Sequence, residues 1–197
     1  VKNIYFRHRD GQTPIPPDYF KDLIPKNIQT HGDLNEHEEQ NIAIGLAWLL
    51  KQENKGIDHL FWRQLHKKLF ADVWKWAGKV RDQELQNPEF LRVHKIETAV
   101  KQLEGDLVHW LETRSLPNKE IAARMHERLL TIHPFVNGNG RFSRILTEFI
   151  CRQHGLPIPR WGECIANEEQ RRKQYIAAIQ RARKETSFGL LEKFLFS

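Results

Sequence analysis

Apolar residues return at helical spacing in one stretch of this chain after another, and period-two alternation is almost absent. Ile42, Leu46, Leu49 and Leu50 share one face of a helix beginning near Asn35. Phe61, Leu65 and Leu69 make the stripe of a second, for which Asp58 is a suitable N-cap. Ile96, Val100, Leu103, Leu107, Trp110 and Leu111 mark a third, which Pro117-Asn118 ends. Ile121, Met125, Leu129 and Ile132 carry a fourth into His133. Phe142, Ile145, Phe149 and Ile150 mark a fifth that stops near Gly155. Asn167 with Gln170 reads as a capping box opening a helix through Arg183, and Leu190, Leu191, Phe194 and Leu195 close the chain with a short one. The expected class is all-α. Residues 1–32 read differently: Thr13-Pro14-Ile15-Pro16-Pro17 favours extended backbone, so a strap is expected there and one domain over 33–197.

The chemistry concentrates in His133-Pro134-Phe135-Val136-Asn137-Gly138-Asn139-Gly140-Arg141-Phe142-Ser143-Arg144. A histidine ends one helical pattern, Gly-Asn-Gly follows, and a second helical pattern begins with two arginines one turn apart. Small residues before a helix let backbone N–H groups converge on an anion, and the helix start adds partial positive charge. Arginines on one face can each grip phosphate oxygens in a fork. A histidine beside such a nest is placed to take a proton from a nucleophile that attacks a bound phosphate.

The order His-x-Phe-x-x-Gly-Asn-Gly-Arg-x-x-Arg resembles the Fic family signature, HPFx[D/E]GNGRxxR. Leu65-His66-Lys67-Lys68-Leu69-Phe70, Trp76-Ala77-Gly78 and Arg81 look like the family segment before its flap. Gly32 to Trp48, Trp74 to Gly78 and the HPFxNGNGR form of the signature are similar to the branch called mobile mystery protein B. The resemblance implies an all-α Fic bundle carrying a short β-hairpin flap. Between Arg81 and His94 the helical period fails. Glu84, Gln86, Asn87, Glu89, Phe90 and Val93 would then line that flap and face a target segment.

It also implies transfer of a nucleoside monophosphate, usually AMP from ATP, to a Ser, Thr or Tyr hydroxyl of a target protein. His133 would be the base. Gly138, Asn139 and Gly140 would donate to the α- and β-phosphates, Arg141 and Arg144 would hold the outer phosphates, and Tyr175 would line an adenine pocket. Asn137 stands where the family has an acid that ligates Mg²⁺ (or Mn²⁺). A neutral amide holds such a cation more weakly. Beside the adenylyltransferase two alternatives therefore stay open: a different phosphate-containing donor, or a low-activity nucleotide- or partner-binding module.

Other features set bounds. Lys and Arg number 31 against 25 Asp and Glu, a balance that suits phosphate-bearing ligands, acidic protein partners or nucleic acid and does not separate them. The basic run Arg171-Arg172-Lys173 with Arg181, Arg183 and Lys184 is read as a solvated helix face and not as a nucleic-acid site. Cys151 and Cys164 have no metal-binding spacing, so reduced thiols and a cytoplasmic setting are expected. No apolar run approaches a membrane span and no charged-then-apolar leader opens the chain. No window matches [S/T]xxxE[G/N], the family's inhibitory helix. Glu39-Gln40-Asn41 comes nearest, so regulation by a separate antitoxin chain is one expectation.

Overall fold

The computed structural model describes residues 21–26, 28, 30–53 and 57–197. Most of the expected strap, with its proline run, lies outside the described residues. Among them are seven α-helices: α1 (His31–Leu49), α2 (His59–Phe70), α3 (Ile96–Thr113), α4 (Asn118–Ile132), α5 (Asn139–Gln153), α6 (Glu168–Glu185) and α7 (Gly189–Leu195). Helix α1 starts four residues before Asn35. The Thr30 side chain accepts from the Asp33 amide at 3.1 Å while Asp33 accepts from the Thr30 amide at 2.9 Å, a complete capping box. Asp58 and Asn167 cap α2 and α6 through side-chain bonds to the Leu60 and Gln170 amides.

Helices α1 and α2 pack closely because Gly45 has no side chain: a Cβ there would meet Leu69 Cδ2 and the Lys68 carbonyl at 2.8 Å. Asn41 locks the pair. Its amide donates to the Lys68 carbonyl and the Asp72 carboxylate, and its oxygen accepts from the Asp72 amide. Trp48, Phe61 and Phe149 then stack in series at 5.7 and 5.6 Å, joining α1, α2 and α5. One core runs through α1 to α5 around Ile42, Leu65, Leu69, Trp74, Leu103 and Phe142. A second joins Ala123 and Leu130 of α4 to Trp161, α6 and α7. Leu50, assigned to the buried stripe of α1, caps the helix instead and is 82% exposed, because the chain turns away one residue beyond the packed face.

The expected β-hairpin flap is not there. Among the described residues there is no strand, only isolated bridges between Leu23 and Trp74 and between Val80 and Phe135. Residues 82–92 form an irregular loop with a turn at its tip and no ladder of backbone bonds between its arms. The Leu91 amide donates to the Thr131 carbonyl of α4 at 3.0 Å, and the carbonyls of Gln83 and Leu91 accept from the Arg81 side chain. Asn87 turns the tip, its side chain accepting from the Glu89 amide and its carbonyl from the Phe90 amide. Glu84 accepts from the Val93 amide, and Pro88 has no N–H to offer a ladder. Two arms held this way cannot pair. No helix among the described residues is long and apolar enough to cross a membrane.

Candidate active site

Helix α4 delivers His133 by ending on it. The residue is the C-cap, in left-handed backbone with φ 48° and ψ 59°, and its amide still donates to the Leu129 carbonyl. Histidine is among the few non-glycine residues that tolerate this region. Its Nδ1 lies 3.2 Å from the Leu130 carbonyl. A carbonyl can only accept, so Nδ1 carries the proton and the lone pair is on Nε2. The residue is 6% exposed, and Phe90 from the 82–92 loop stacks on its ring with centroids 3.7 Å apart. Burial first, then the charges of Arg81 and Arg183 against the opposing Leu130 hydrogen bond, bring its pKa down to about 3.

The turn after His133 is built by the Asn139 side chain. It accepts from the Phe135 amide at 3.0 Å and donates to the Phe135 carbonyl at 2.8 Å. That amide therefore shapes the loop, and the anion donors left to this stretch are backbone N–H groups. Gly138 caps α5 at φ 76° with no side-chain cap, so the first-turn N–H groups of α5 point out without an intrahelical acceptor. A Cβ on Gly138 would meet the Phe70 ring at 2.7 Å, whereas one on Gly140 would meet nothing within 4 Å. The nest is closed beneath and open above.

The two arginines have different surroundings. Arg141 is buried over the Phe70 ring, and its Nη1 donates to Glu38 Oε2 at 2.6 Å; the other Glu38 oxygen accepts from Trp74 Nε1 at 2.8 Å. The α1 carboxylate that reaches the motif is thus Glu38, one residue before Glu39, and it takes the first arginine. Removing one partner of such a buried pair costs roughly 3–5 kcal/mol. Arg144, one turn on, keeps a buried Nε without a hydrogen-bond partner. Its charge acts on the Tyr175 hydroxyl, which lies 2.8 Å from His126 Nε2, and the Tyr175 ring packs on Phe194. Tyr175 therefore turns its polar end toward Arg144.

His66 belongs to the site, and sequence reasoning missed it. It accepts at Nδ1 from the Gly78 amide at 3.0 Å, so its Nε2–H is the group that donates to the Asn137 carbonyl at 3.1 Å. Its ring stacks on Phe135 at 3.7 Å. The signal was a histidine beside Leu65 on an apolar stripe, followed by a Trp-Ala-Gly turn.

Three buried histidines, His66, His126 and His133, have pKa values lowered to about 3, each mainly by burial. Unfolding returns them to about 6.5, so the unfolded chain takes up protons first as pH falls. Their contribution is full above pH 6.5 and is lost toward pH 3, at up to about 1.4 kcal/mol per pH unit for each ring. Urea unfolding midpoints should therefore drop between pH 6.5 and 5, before carboxylates titrate. A flat profile there would show that these rings protonate freely in the fold.

Metal ligands are sparse at the motif. Asn137 Oδ1 accepts from the Gly138 amide at 2.6 Å, and the 133–144 segment contains no carboxylate. Magnesium favours charged oxygen ligands. These residues fit a phosphate; they do not form a protein cage for Mg²⁺. Among the described residues, one histidine-carboxylate group could share a cation: Asp58, His59 and Glu104, with ligand atoms within 4.8 Å, at the start of α2 and on α3. A cavity of about 240 Å³ nearby is lined by His59, Trp62, Arg63, Val100 and Phe135, and by none of the nest residues.

The loop residues fall into two groups. Glu84, Asn87, Glu89, Phe90 and Val93 take part in the contacts that hold the loop, Glu89 through a 2.7 Å pair with Arg183 of α6. Gln86 is exposed.

This geometry has relatives. A profile of the Fic/DOC family matches residues 57–151. The protein adenylyltransferase VbhT of Bartonella schoenbuchensis is 36% identical over 108 residues, 52% of this chain and 22% of that protein. The protein adenylyltransferase fic-1 of Caenorhabditis briggsae is 30% identical over 142 residues, 68% of this chain and 27% of its own. This chain thus spans about a quarter of the length of the curated relatives it matches. The crystal structure of the BepC protein of Bartonella tribocorum with bound AMPPNP superposes with a TM-score of 0.67 at 18% identity, covering 92% of this chain and 95% of that one. The fold is shared. The chain belongs to the Fic/DOC family.

Proposed function

We propose that this chain transfers a nucleoside monophosphate, AMP from ATP in the first instance, to a side-chain hydroxyl of a target protein. The observation that carries this reading is a neutral histidine with its lone pair on Nε2, one turn of chain before an uncapped helix start and a buried, unpartnered Arg144 Nε. An anion at the helix start would meet the N–H groups of α5 and the guanidinium of Arg144 together. His133 would take the hydroxyl proton as the oxygen attacks the α-phosphorus, and pyrophosphate would leave toward Arg144. Arg141, tied to Glu38, would act through the electrostatic field and the fold of the cradle. The names of VbhT and fic-1 support adenylyl transfer as the first chemistry to test. Because Asn137 carries no charge, Mg²⁺ or Mn²⁺ would arrive with the triphosphate and lean little on the protein.

The Nε2 lone pair lies in the ring plane, so the hydroxyl would come in at the ring edge, with Phe90 on the imidazole face as one wall of that approach. Incubation with each labelled NTP, with and without lysate proteins, tests the reading. Label is expected on protein from ATP or another NTP, and no transfer from any of the four under any divalent cation would defeat it. Arg144→Ala should weaken ATP binding about tenfold or more, the scale of a charge-assisted hydrogen bond, and leave AMP binding nearly unchanged. Equal losses by calorimetry would place Arg144 outside the phosphate site.

A further inference from the structure

We propose that Arg81 is a positioning residue whose single guanidinium sets both the base-bearing turn and the loop that stands over it, and thereby the approach of the acceptor hydroxyl. This rests on the reading of His133 as the base. The Arg81 side chain is 1% exposed. Its Nε donates to the His133 carbonyl at 2.8 Å, its Nη1 to the Gln83 carbonyl at 3.0 Å, and its Nη2 to the Leu91 carbonyl. Glu84 lies 3.7 Å from Nη1 at the exposed edge. The Arg81 amide donates to the Pro134 carbonyl at 2.9 Å, so main chain and side chain grip the same turn.

A buried cation is costly unless its donors are satisfied. Here three directions of one planar group reach three backbone carbonyls: one on the catalytic residue and one at each end of the 82–92 loop. Only arginine offers rigid donors in several directions; a lysine ammonium is a point charge on a flexible stem. Backbone acceptors carry no side-chain specificity, so the arrangement fixes distance rather than composition. Phe90, adjacent to Leu91, lies on the His133 ring at 3.7 Å as a consequence of that spacing. The left-handed backbone of His133 is a sparsely populated conformation that persists only when its surroundings over-determine it, and the Arg81 bond to its carbonyl is one such constraint. The nest and Arg144 make none of these contacts, so donor binding does not pass through Arg81.

Arg81→Lys keeps charge and burial but loses the fork; Arg81→Met keeps burial and removes charge and fork together. In Arg81→Lys, transfer is expected to lose kcat by about 100-fold, the scale of a 1 Å misplacement, with the nucleotide KM unchanged. The Leu91 amide should exchange with deuterium about tenfold faster or more, since a charge-assisted hydrogen bond to its own carbonyl is lost. Wild-type kcat with wild-type loop exchange in Arg81→Lys would overturn the proposal, as would a rise in nucleotide KM that matches the fall in kcat. Should neither variant fold, the wild-type protein still decides. One clamp requires the Arg81 and Leu91 amides to open together in native-state exchange, and a loop that opens independently of the Arg81 turn refutes it. If the wild-type protein transfers no nucleotide, the proposed function fails while the exchange experiment still reads the clamp.

Discussion

His133→Ala is expected to lower nucleotide transfer by about 10²–10⁴, the usual scale of general-base catalysis, while ATP affinity stays as it was. The separation follows from the geometry. His133 caps α4, whereas in the proposed reading the phosphate contacts would come from the start of α5 and from Arg144. The Leu130 carbonyl fixes the proton on Nδ1 and presents Nε2 as the acceptor, so the lost function is acceptance of a proton and not a charge. Alanine at φ 48° also carries backbone strain. His133→Asn supplies the control, because asparagine tolerates left-handed backbone yet has no basic nitrogen. Both variants should bind ATP by calorimetry and fail to label protein. Labelling by either at near wild-type speed would remove His133 from the mechanism.

What the sequence revealed of this site, and what it hid, divides by range. The helices were legible because each buries a stripe that recurs every three to four residues, and caps such as Asp58 and Asn167 act on amides two or three residues away. The His133 turn was legible for the same reason: glycines and the motif order are local. The fate of Arg141 was not, since its partner Glu38 is 103 residues distant and only the packing of α1 brings it near. The flap reading failed on a similar ground. The hairpin was expected from the resemblance and not from the composition of residues 82–92, whose arms bond to α4 and to one arginine side chain, a choice made by tertiary structure. Leu50 shows the limit at an element's end, where one residue past the last packed turn is exposed whatever its hydrophobicity. Tyr175 shows it at a site: its helix was legible, while the turn of its hydroxyl toward Arg144 and His126 depends on three separate helices.

Asn137→Asp addresses the residue at which this chain departs from the family signature. The change adds a negative charge with almost no change in volume. Asn137 Oδ1 already accepts from the Gly138 amide, and the His66 Nε2–H donates to the backbone carbonyl of the same residue, so the position is held from two sides. An aspartate could keep the Gly138 bond with one oxygen and turn the other toward a cation. The variant should then need about tenfold less Mg²⁺ for half-saturation of ATP binding, in keeping with the preference of that ion for carboxylate oxygen. Calorimetric titration of ATP at stepped Mg²⁺ concentrations measures this without reference to turnover. The gain should vanish at saturating Mg²⁺, where occupancy no longer limits binding. In the absence of divalent cation the sign reverses: a bare carboxylate beside the nest repels the triphosphate, and ATP should bind more weakly than to the native protein. An Mg²⁺ dependence that Asn137→Asp leaves untouched would mean that residue 137 faces the loop backbone alone. Divalent cation would then be held in this chain without the position the family signature reserves for it.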